Sequence, residues 1–267
     1  SIAGTSATNY VRLTGGPTRE TIQFTNTTTT DRYVVRLTGT KNIILDSLTL
    51  LNSGVTYGYG VHLTANSDSN FVKNSIITVN NSSTSTNFCG IAISGSTPTT
   101  LGNNGDYNTV QGNIVTGAIM GGKQGTSSTV YSQNNHVIDN EFRDFYYYGL
   151  RHYEQNGGII SGNTIHARVG ATTSAYGMYV YYNDNFTIER NRIYDVGTYG
   201  IYTYYANYQQ GLGTTRARIA NNMIGGGFTA TTPYGIYMST NCTNVDFFHN
   251  TVTLTGGCGA VTASGTI

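Results

Sequence analysis

The side chains best suited to chemistry are concentrated in the middle of this sequence. Residues 136–195 hold 12 of the 27 charged residues and three of the five His, and 16 of the 22 Tyr lie between 146 and 237. Phenol rings offer apolar faces to sugar rings and hydroxyl groups for hydrogen bonds, and arginine adds a planar fork for a carboxylate or sulfate. This pattern indicates a glycan-binding face, whose candidate residues are Arg151, Tyr153, Glu154, Tyr179, Tyr181, Asp184, Tyr202 and Tyr204.

Each of these residues also has a purely structural interpretation. Tyrosine rings that stack one above another stabilise a fold without any ligand, and Glu154 could simply pair with Arg151. We expect His152 to be a satisfied interior residue and His62 to be solvated. A further group of polar residues is expected to form surface ion pairs rather than a site; it comprises Glu141, Arg143, His166, Arg192 and Tyr194.

A repeat in the sequence predicts the elements that position these side chains. Eight short segments are centred on Asn or Asp, and the residues three before and two after each centre are apolar in all sixteen cases. The centres are positions 46, 74, 113, 140, 163, 191, 222 and 250. We expect the residues three before them (43, 71, 110, 137, 160, 188, 219 and 247) to stack as a buried apolar column, and the centres to form an asparagine ladder.

A second motif, Tyr-Gly followed by an apolar residue, precedes several centres, as in Tyr148-Gly-Leu and Tyr176-Gly-Met. Strands without helices at a period of 20–50 residues predict a solenoid of parallel strands. Alternation sends the residue after Gly inward and the next one outward. The outward rows then read Arg151, Tyr179, Tyr202, Tyr237 and Tyr153, Tyr181, Tyr204. Insertions at 95–106, 121–133 and 205–216 would wall this face, beside tight turns at 153–156 and 182–184.

With these repeats, residues 33–267 resemble the pectate-lyase-like superfamily. The resemblance implies an all-β, single-stranded right-handed parallel β-helix of about eight to nine coils. Residues 1–32 are expected to form a preceding partial coil or strand segment. The helix is expected to be open at its C-terminal end, because the sequence stops within a ninth coil and shows no cap.

The catalytic motifs of this superfamily are mostly missing. The Arg-x-Pro-x-x-Arg run of calcium pectate lyases has no counterpart around Pro17, Pro98 or Pro233. The run Tyr148-Gly-Leu-Arg-His-Tyr-Glu154 is similar to the alginate epimerase motif, but Arg151 stands where that motif has its catalytic Asp. We therefore assign no catalytic residues and favour a protein that is not an enzyme.

The amino-acid composition limits the kinds of partner that the protein could bind. The formal net charge is +1 with no basic stripe, which argues against nucleic acid, and no apolar run approaches a membrane span. Three cysteines are too few and too scattered for a metal site. We expect no metal and no cofactor, and as partners a polysaccharide or cell-surface glycan together with flanking domains of the same polypeptide.

The favoured function is a non-catalytic stalk or adhesive segment of a larger, secreted bacterial cell-surface protein, with glycan binding on the tyrosine-lined face. Two alternatives stay open: an enzyme acting on polysaccharide, with Glu154 and Asp184 as its carboxylate pair, and a receptor binder similar to phage tailspikes.

Overall fold

Short parallel strands follow one another along the whole chain in the computed structural model. It describes residues 5–25, 28, 30–85, 87–97, 100–117, 120–124, 131–208, 215–254 and 259–263. The strands are β1 Val11–Thr14, β2 Thr21–Phe24, β3 Tyr33–Thr38, β4 Ile43–Asp46, β5 Thr49–Asn52, β6 Gly58–Thr64, β7 Phe71–Lys73, β8 Ile76–Thr78, β9 Phe88–Ile93, β10 Thr109–Gln111, β11 Ile114–Thr116, β12 Met120–Gln124, β13 Ser132–Gln133, β14 His136–Ile138, β15 Glu141–Phe145, β16 Tyr148–Asn156, β17 Ile159–Ser161, β18 Thr164–Ala167, β19 Tyr176–Asp184, β20 Thr187–Glu189, β21 Arg192–Tyr194, β22 Tyr199–Tyr204, β23 Ala217–Ala220, β24 Met223–Gly225, β25 Tyr234–Met238, β26 Val245–Phe248, β27 Thr251–Val252 and β28 Gly259–Ala263.

These strands form three parallel sheets, and each coil of the chain contributes one strand to each sheet. The first sheet runs β1-β4-β7-β10-β14-β17-β20-β23-β26 and the second β2-β5-β8-β11-β15-β18-β21-β24-β27. The third runs β3-β6-β9-β12-β16-β19-β22-β25-β28, with β13 paired to β16. Each strand pairs with its equivalent one coil away, so the all-β solenoid expected from the repeat is confirmed. The one helical element among the described residues is the 3-10 turn Gly16–Thr18, and none of their helices could cross a membrane.

The apolar column predicted from the repeat is present from β10, the fourth strand of the first sheet, onward. Val110, Val137, Ile160, Ile188 and Ile219 are buried and lie in register, and half-buried Phe247 continues the row.

The prediction is wrong in the first two repeats. Leu45 and Val72 occupy the column there, because Leu45 pairs with Val72 and Val72 pairs with Val110. Ile43 is buried but lies outside this row, and the Phe71 side chain is 38% exposed.

A row of asparagines follows the column at the next corner. Each Oδ1 atom accepts both the backbone N–H and the side-chain amide of the asparagine one coil earlier, with N···O distances of 2.9–3.1 Å. The members are Asn113, Asn140, Asn163, Asn191, Asn222 and Asn250. This bonding satisfies polar groups that would otherwise be buried without partners.

Positions 46 and 74, also predicted as centres, do not belong to this row. Ser75 takes the equivalent place, since its backbone N–H donates to Oδ1 of Asn113. Asp46 is instead a buried ion-pair residue that contacts Arg12 at 2.5 Å and Lys73 at 3.6 Å. Burial raises the pKa of Asp46, but hydrogen bonds from Asn74, Ser47 and Arg12 outweigh burial and hold that pKa below its usual value.

A second row of amides, which the sequence analysis missed, lies at the corner before the first sheet. Asn70 donates to Oδ1 of Asn108, Asn108 to Oδ1 of Asn135, and Asn135 to Oε1 of Gln155. The sequence contains a pattern that could have predicted this row, because each of these three asparagines stands two residues before a column residue. The two amide rows hold adjacent coils in register, one before and one after the strands of the first sheet.

Candidate functional site

The glycine of the Tyr-Gly motif allows the coils of the third sheet to approach one another. A Cβ atom on Gly177 would lie 2.5 Å from Ile193 Cγ2 and 2.7 Å from the carbonyl oxygen of Gly200. Gly149 and Gly200 face the same two kinds of atom. Only glycine fits this stacked position. The tyrosine before it faces outward and the apolar residue after it is buried, as Tyr176 and Met178 illustrate.

The outward side chains form three rows across the third sheet, which we call the tyrosine surface. The first row is Tyr148, Tyr176, Tyr199 and Tyr234; the second is Arg151, Tyr179, Tyr202 and Tyr237; the third is Tyr153, Tyr181 and Tyr204. Six of the eight predicted ligand-binding residues therefore lie on one face, in the order that strand alternation indicated. All the side chains of the surface are half-buried.

Within each row, neighbouring rings stack against one another. The Tyr181 and Tyr204 rings have centroids 5.1 Å apart and are 4° from parallel, and the Tyr202 and Tyr237 rings are 5.5 Å apart at 6°. Each ring thus covers part of its neighbour's face, in the geometry that favours offset stacking. The faces between neighbouring rings are therefore not open to a sugar ring, and the expectation of open phenol faces needs this correction.

Four tyrosines of this surface keep their hydroxyl protons. Burial, followed by the charges of neighbouring groups, raises the pKa of Tyr148, Tyr176, Tyr179 and Tyr181 well above the usual value of 10.0. A phenol that keeps its proton can both donate and accept a hydrogen bond. The surface therefore presents neutral hydrogen-bonding groups at the spacing of the coils, about 4.8 Å.

Arg151 is the cationic residue at the start of the second row. Its Cζ atom lies 4.3 Å from the centroid of Tyr153, 5.4 Å from that of Tyr148 and 5.6 Å from that of Tyr179. None of the ion pairs among the described residues includes Arg151, so the expected pairing with Glu154 is not formed. The guanidinium is held by aromatic rings and keeps its full charge.

Glu154 and Asp184, the two predicted carboxylates, lie below this surface. They are only 1% and 0% exposed. Glu154 has a φ of 50°, and its inward position continues the alternation in which Arg151 and Tyr153 face outward and His152 faces inward. Burial, and then the charges of Asp184 and Glu154, raise the pKa of Tyr131, whose ring therefore lies close to both carboxyl groups. Both carboxylates thus lie beneath the surface rather than on it, and a ligand-contacting role for them stays a prediction.

The turns beside the surface carry a fourth set of tyrosines that sequence reasoning missed. Tyr182 and Tyr205 both have a φ of 50° and stack at 4.5 Å, and Tyr208 contacts Tyr205 edge-on at 5.1 Å. Of the expected walls, the parts at 98–99, 125–130 and 209–214 lie outside the described residues, and the side chains of 121–124 do as well.

Two predictions for histidines had opposite outcomes. His152 is buried, and its Nδ1 atom lies 2.8 Å from Oδ1 of Asn183, as expected for an interior residue. His62 was expected to be solvated but is 2% exposed, with Nε2 3.1 Å from the carbonyl oxygen of Ser94. Burial lowers the pKa of both to about 4, so both rings are neutral near pH 7.

The mixed-charge group on the second sheet pairs with itself at the surface. Oε1 of Glu141 lies 3.5 Å from both Arg143 Nη1 and His166 Nε2, and the His166 ring stacks on Tyr194 at 4.9 Å. Among the described residues, no three His, Cys, Asp or Glu side chains converge as a metal site would require.

The sequence profile of right-handed β-helix regions matches residues 103–267. The chain belongs to the right-handed β-helix family. No curated protein matches its sequence significantly.

Solved structures of other β-helix proteins share the fold. A periplasmic alginate epimerase matches with a TM-score of 0.57 and 15% identity, over 82% of this chain and 47% of its own. The enzymatically active domain of tailspike protein 2 from bacteriophage CBA120 matches with a TM-score of 0.63 and 13% identity, over 93% of this chain and 36% of its own. The Dettilon tailspike protein matches with a TM-score of 0.54 and 11% identity, over 96% of this chain and 60% of its own. This β-helix chain thus spans about a third to three fifths of their lengths.

Proposed function

We propose that this β-helix is a polysaccharide-binding, non-catalytic segment of a larger secreted bacterial surface protein, and that the tyrosine surface contacts the glycan. The observation that carries the proposal is the alignment of three outward rows of phenols, with the Arg151 guanidinium at their edge, which forms no ion pair among the described residues. Such groups match the hydroxyl groups of a sugar chain without requiring a charge to be desolvated.

The stacking of the rings decides how a glycan would bind. Because neighbouring rings cover one another's faces, the sugar hydroxyl groups would exchange hydrogen bonds with the phenol hydroxyl groups along a row. Each coil would contribute weakly, and affinity would grow with the number of coils that one glycan spans. A carboxylate or sulfate on the glycan would meet Arg151, whose fork accepts such groups in bidentate geometry.

The test is a glycan array followed by calorimetric titration of Tyr181→Phe/Tyr204→Phe. This variant keeps both stacked rings and removes only their hydroxyl groups, so its melting temperature should match that of the wild type. Each lost hydrogen bond costs about 0.5–1.5 kcal/mol, so affinity should fall roughly 5- to 150-fold for the pair. The matched control is Tyr10→Phe, whose side chain is 52% exposed and lies away from the third sheet.

Two results would contradict the proposal. If the wild type binds no glycan on the array, the rows serve packing only and the segment is a stalk. If the double variant and the control bind equally well, the hydroxyl groups of the third row are not the contact.

The enzyme alternative predicts a different result. It requires an acid and a base on either side of one scissile bond, whereas Glu154 and Asp184 are buried. Release of oligosaccharides from a bound polysaccharide, lost in Glu154→Gln, would favour the enzyme over the binding segment.

A further inference from the structure

A second polar site lies on the same sheet, near its first strands. An open depression of about 380 Å³ is formed there by the residues just before β3, β3 itself, His62 of β6 and the turn after β9. It is lined by Thr30, Asp31, Arg32, Tyr33, Arg36, His62 and Ser96. The register places Arg36 four strands before Arg151 along the outward row, through β6, β9 and β12. Cys89 and Ala92 of β9, which lies between the two places, are both fully buried.

The two arginines of this depression are positioned by tyrosines. The Arg32 Cζ atom lies 5.4 Å from the ring centroid of Tyr57 and 5.5 Å from that of Tyr59, and its Nη1 donates to the Tyr59 hydroxyl at 3.3 Å. Arg36 lies 5.2 Å from the ring of Tyr33 and donates to its hydroxyl at 3.2 Å. Contacts with rings hold each guanidinium in place but do not neutralise it.

Neither arginine is neutralised by a carboxylate. All 13 Asp and Glu residues of the chain are among the described residues, and no ion pair within 4.0 Å includes Arg32 or Arg36. Asp31 lies at the exposed rim without reaching either guanidinium. Elsewhere the chain does pair its arginines, as with Arg216 and Asp246 at 2.6 Å. Two guanidinium groups that line one depression without a carboxylate partner favour the binding of an anion that can accept hydrogen bonds from both.

The base of the depression adds no opposing or supporting charge. His62 contacts the Tyr59 ring edge-on at 5.4 Å and is tied to the carbonyl oxygen of Ser94. Because burial lowers the pKa of His62 to about 4, the ring is neutral near pH 7. Burial likewise raises the pKa of Tyr59 to about 12, so its hydroxyl keeps its proton and its bond from Arg32.

We propose that Arg32 and Arg36 bind the carboxylate or sulfate group of an acidic saccharide in this depression. The guanidinium forks hold the anionic group, and the half-buried phenol of Tyr33 lies beside them as a hydrogen-bonding partner for a sugar hydroxyl, whereas the buried Tyr59 only positions Arg32. The proposal does not rest on glycan binding at the tyrosine surface, because none of the residues that line the depression belongs to the three tyrosine rows.

The experiment is calorimetric titration of the whole chain with three probes at low salt: trigalacturonate, a heparin-derived tetrasaccharide and neutral cellotetraose. The carboxylate and sulfate probes distinguish the two sources of anion. The test variant is Arg32→Gln/Arg36→Gln. The matched control, Arg190→Gln/Arg218→Gln, removes two positive charges on another sheet, where both arginines pair with Glu189.

We expect at least one acidic probe to bind the wild type and the control, and to bind the Arg32→Gln/Arg36→Gln variant about tenfold more weakly or not at all. Arg32→Lys/Arg36→Lys, which keeps the charge but loses the forks, should bind with intermediate affinity. The proposal is overturned if no acidic probe binds, if cellotetraose binds equally well, or if the control loses as much affinity as the test variant. The Tyr181→Phe/Tyr204→Phe variant should retain this binding, so failure at one site is distinguishable from failure at the other.

Discussion

Replacing Asn191 by leucine tests the asparagine row directly. Oδ1 of Asn191 accepts the backbone N–H of Asn163 at 2.9 Å and its side-chain amide at 3.0 Å. The Asn191 amide donates to Oδ1 of Asn222 at 3.0 Å and to the carbonyl oxygen of Ile160 at 3.0 Å. Leucine keeps the branched shape of the side chain but removes all four bonds inside the solenoid.

The cost can be worked out bond by bond. The Asn163 side-chain amide keeps its bonds to the carbonyl oxygens of Val137 and Ser161, and Oδ1 of Asn222 keeps the backbone N–H of residue 191. The backbone N–H of Asn163 is the group that loses its acceptor outright, which costs about 1–3 kcal/mol. With the weaker losses added, the free energy of unfolding should fall by about 2–4 kcal/mol. For a chain of this size the melting temperature should fall by roughly 4–16 °C.

Two measurements check this prediction. Urea denaturation gives the loss of stability, and hydrogen exchange of the peptide containing Asn163 should show that its amide has become less protected. Asn191→Ser should recover part of the loss, because Ser75 already occupies this row and its Oγ accepts the backbone N–H of Leu48 at 3.1 Å. Asn81→Leu, at an exposed position, is the control. An unchanged denaturation midpoint for Asn191→Leu, with unchanged exchange, would refute the argument that the row satisfies buried backbone groups.

Two further predictions concern packing and pH. Gly177→Ala should destabilise the chain by about 1–3 kcal/mol, because its Cβ would lie 2.7 Å from the carbonyl oxygen of Gly200. The control is Gly102→Ala, whose Cβ would have no atom closer than 3.6 Å, so this variant should melt at the same temperature as the wild type. Burial lowers the pKa of His62 and His152 from 6.5 to about 4. The unfolded chain therefore binds protons that the folded chain does not, and stability should decrease as the pH falls from about 6.5 to about 4, by up to about 3 kcal/mol for each histidine. Denaturation curves at pH 7.5 and 4.5 measure this change, and equal stabilities would count against neutral, buried rings.

The sequence by itself determined the architecture because every coil repeats the same local constraints. An apolar residue, a corner and an amide recur in six successive repeats from Val110 to Asn250. Parallel stacking of the coils places each of these residues beside its equivalent in the next coil. The outward rows of the tyrosine surface followed from simple alternation along β16, β19 and β22.

The register of the first two repeats could not be predicted locally. Consecutive apolar residues at 43–45 and 71–72 fit more than one alignment, and only the neighbouring coil selects Leu45 and Val72. Asn74 was wrongly predicted as a member of the asparagine row, because asparagine suits two different places in a coil. It has a φ of 53° at the corner, and the left-handed conformation that asparagine tolerates explains its presence there.

Only the tertiary structure decided what the candidate site presents. Ring orientation depends on the coils above and below, so stacking that covers the faces of Tyr181 and Tyr204 is absent from any local pattern. The unpaired state of Arg32 and Arg36 depends on where every carboxylate of the chain lies. Periodicity fixes which residues share a row, whereas the exposure and the charge of each row are set by contacts between residues far apart in sequence.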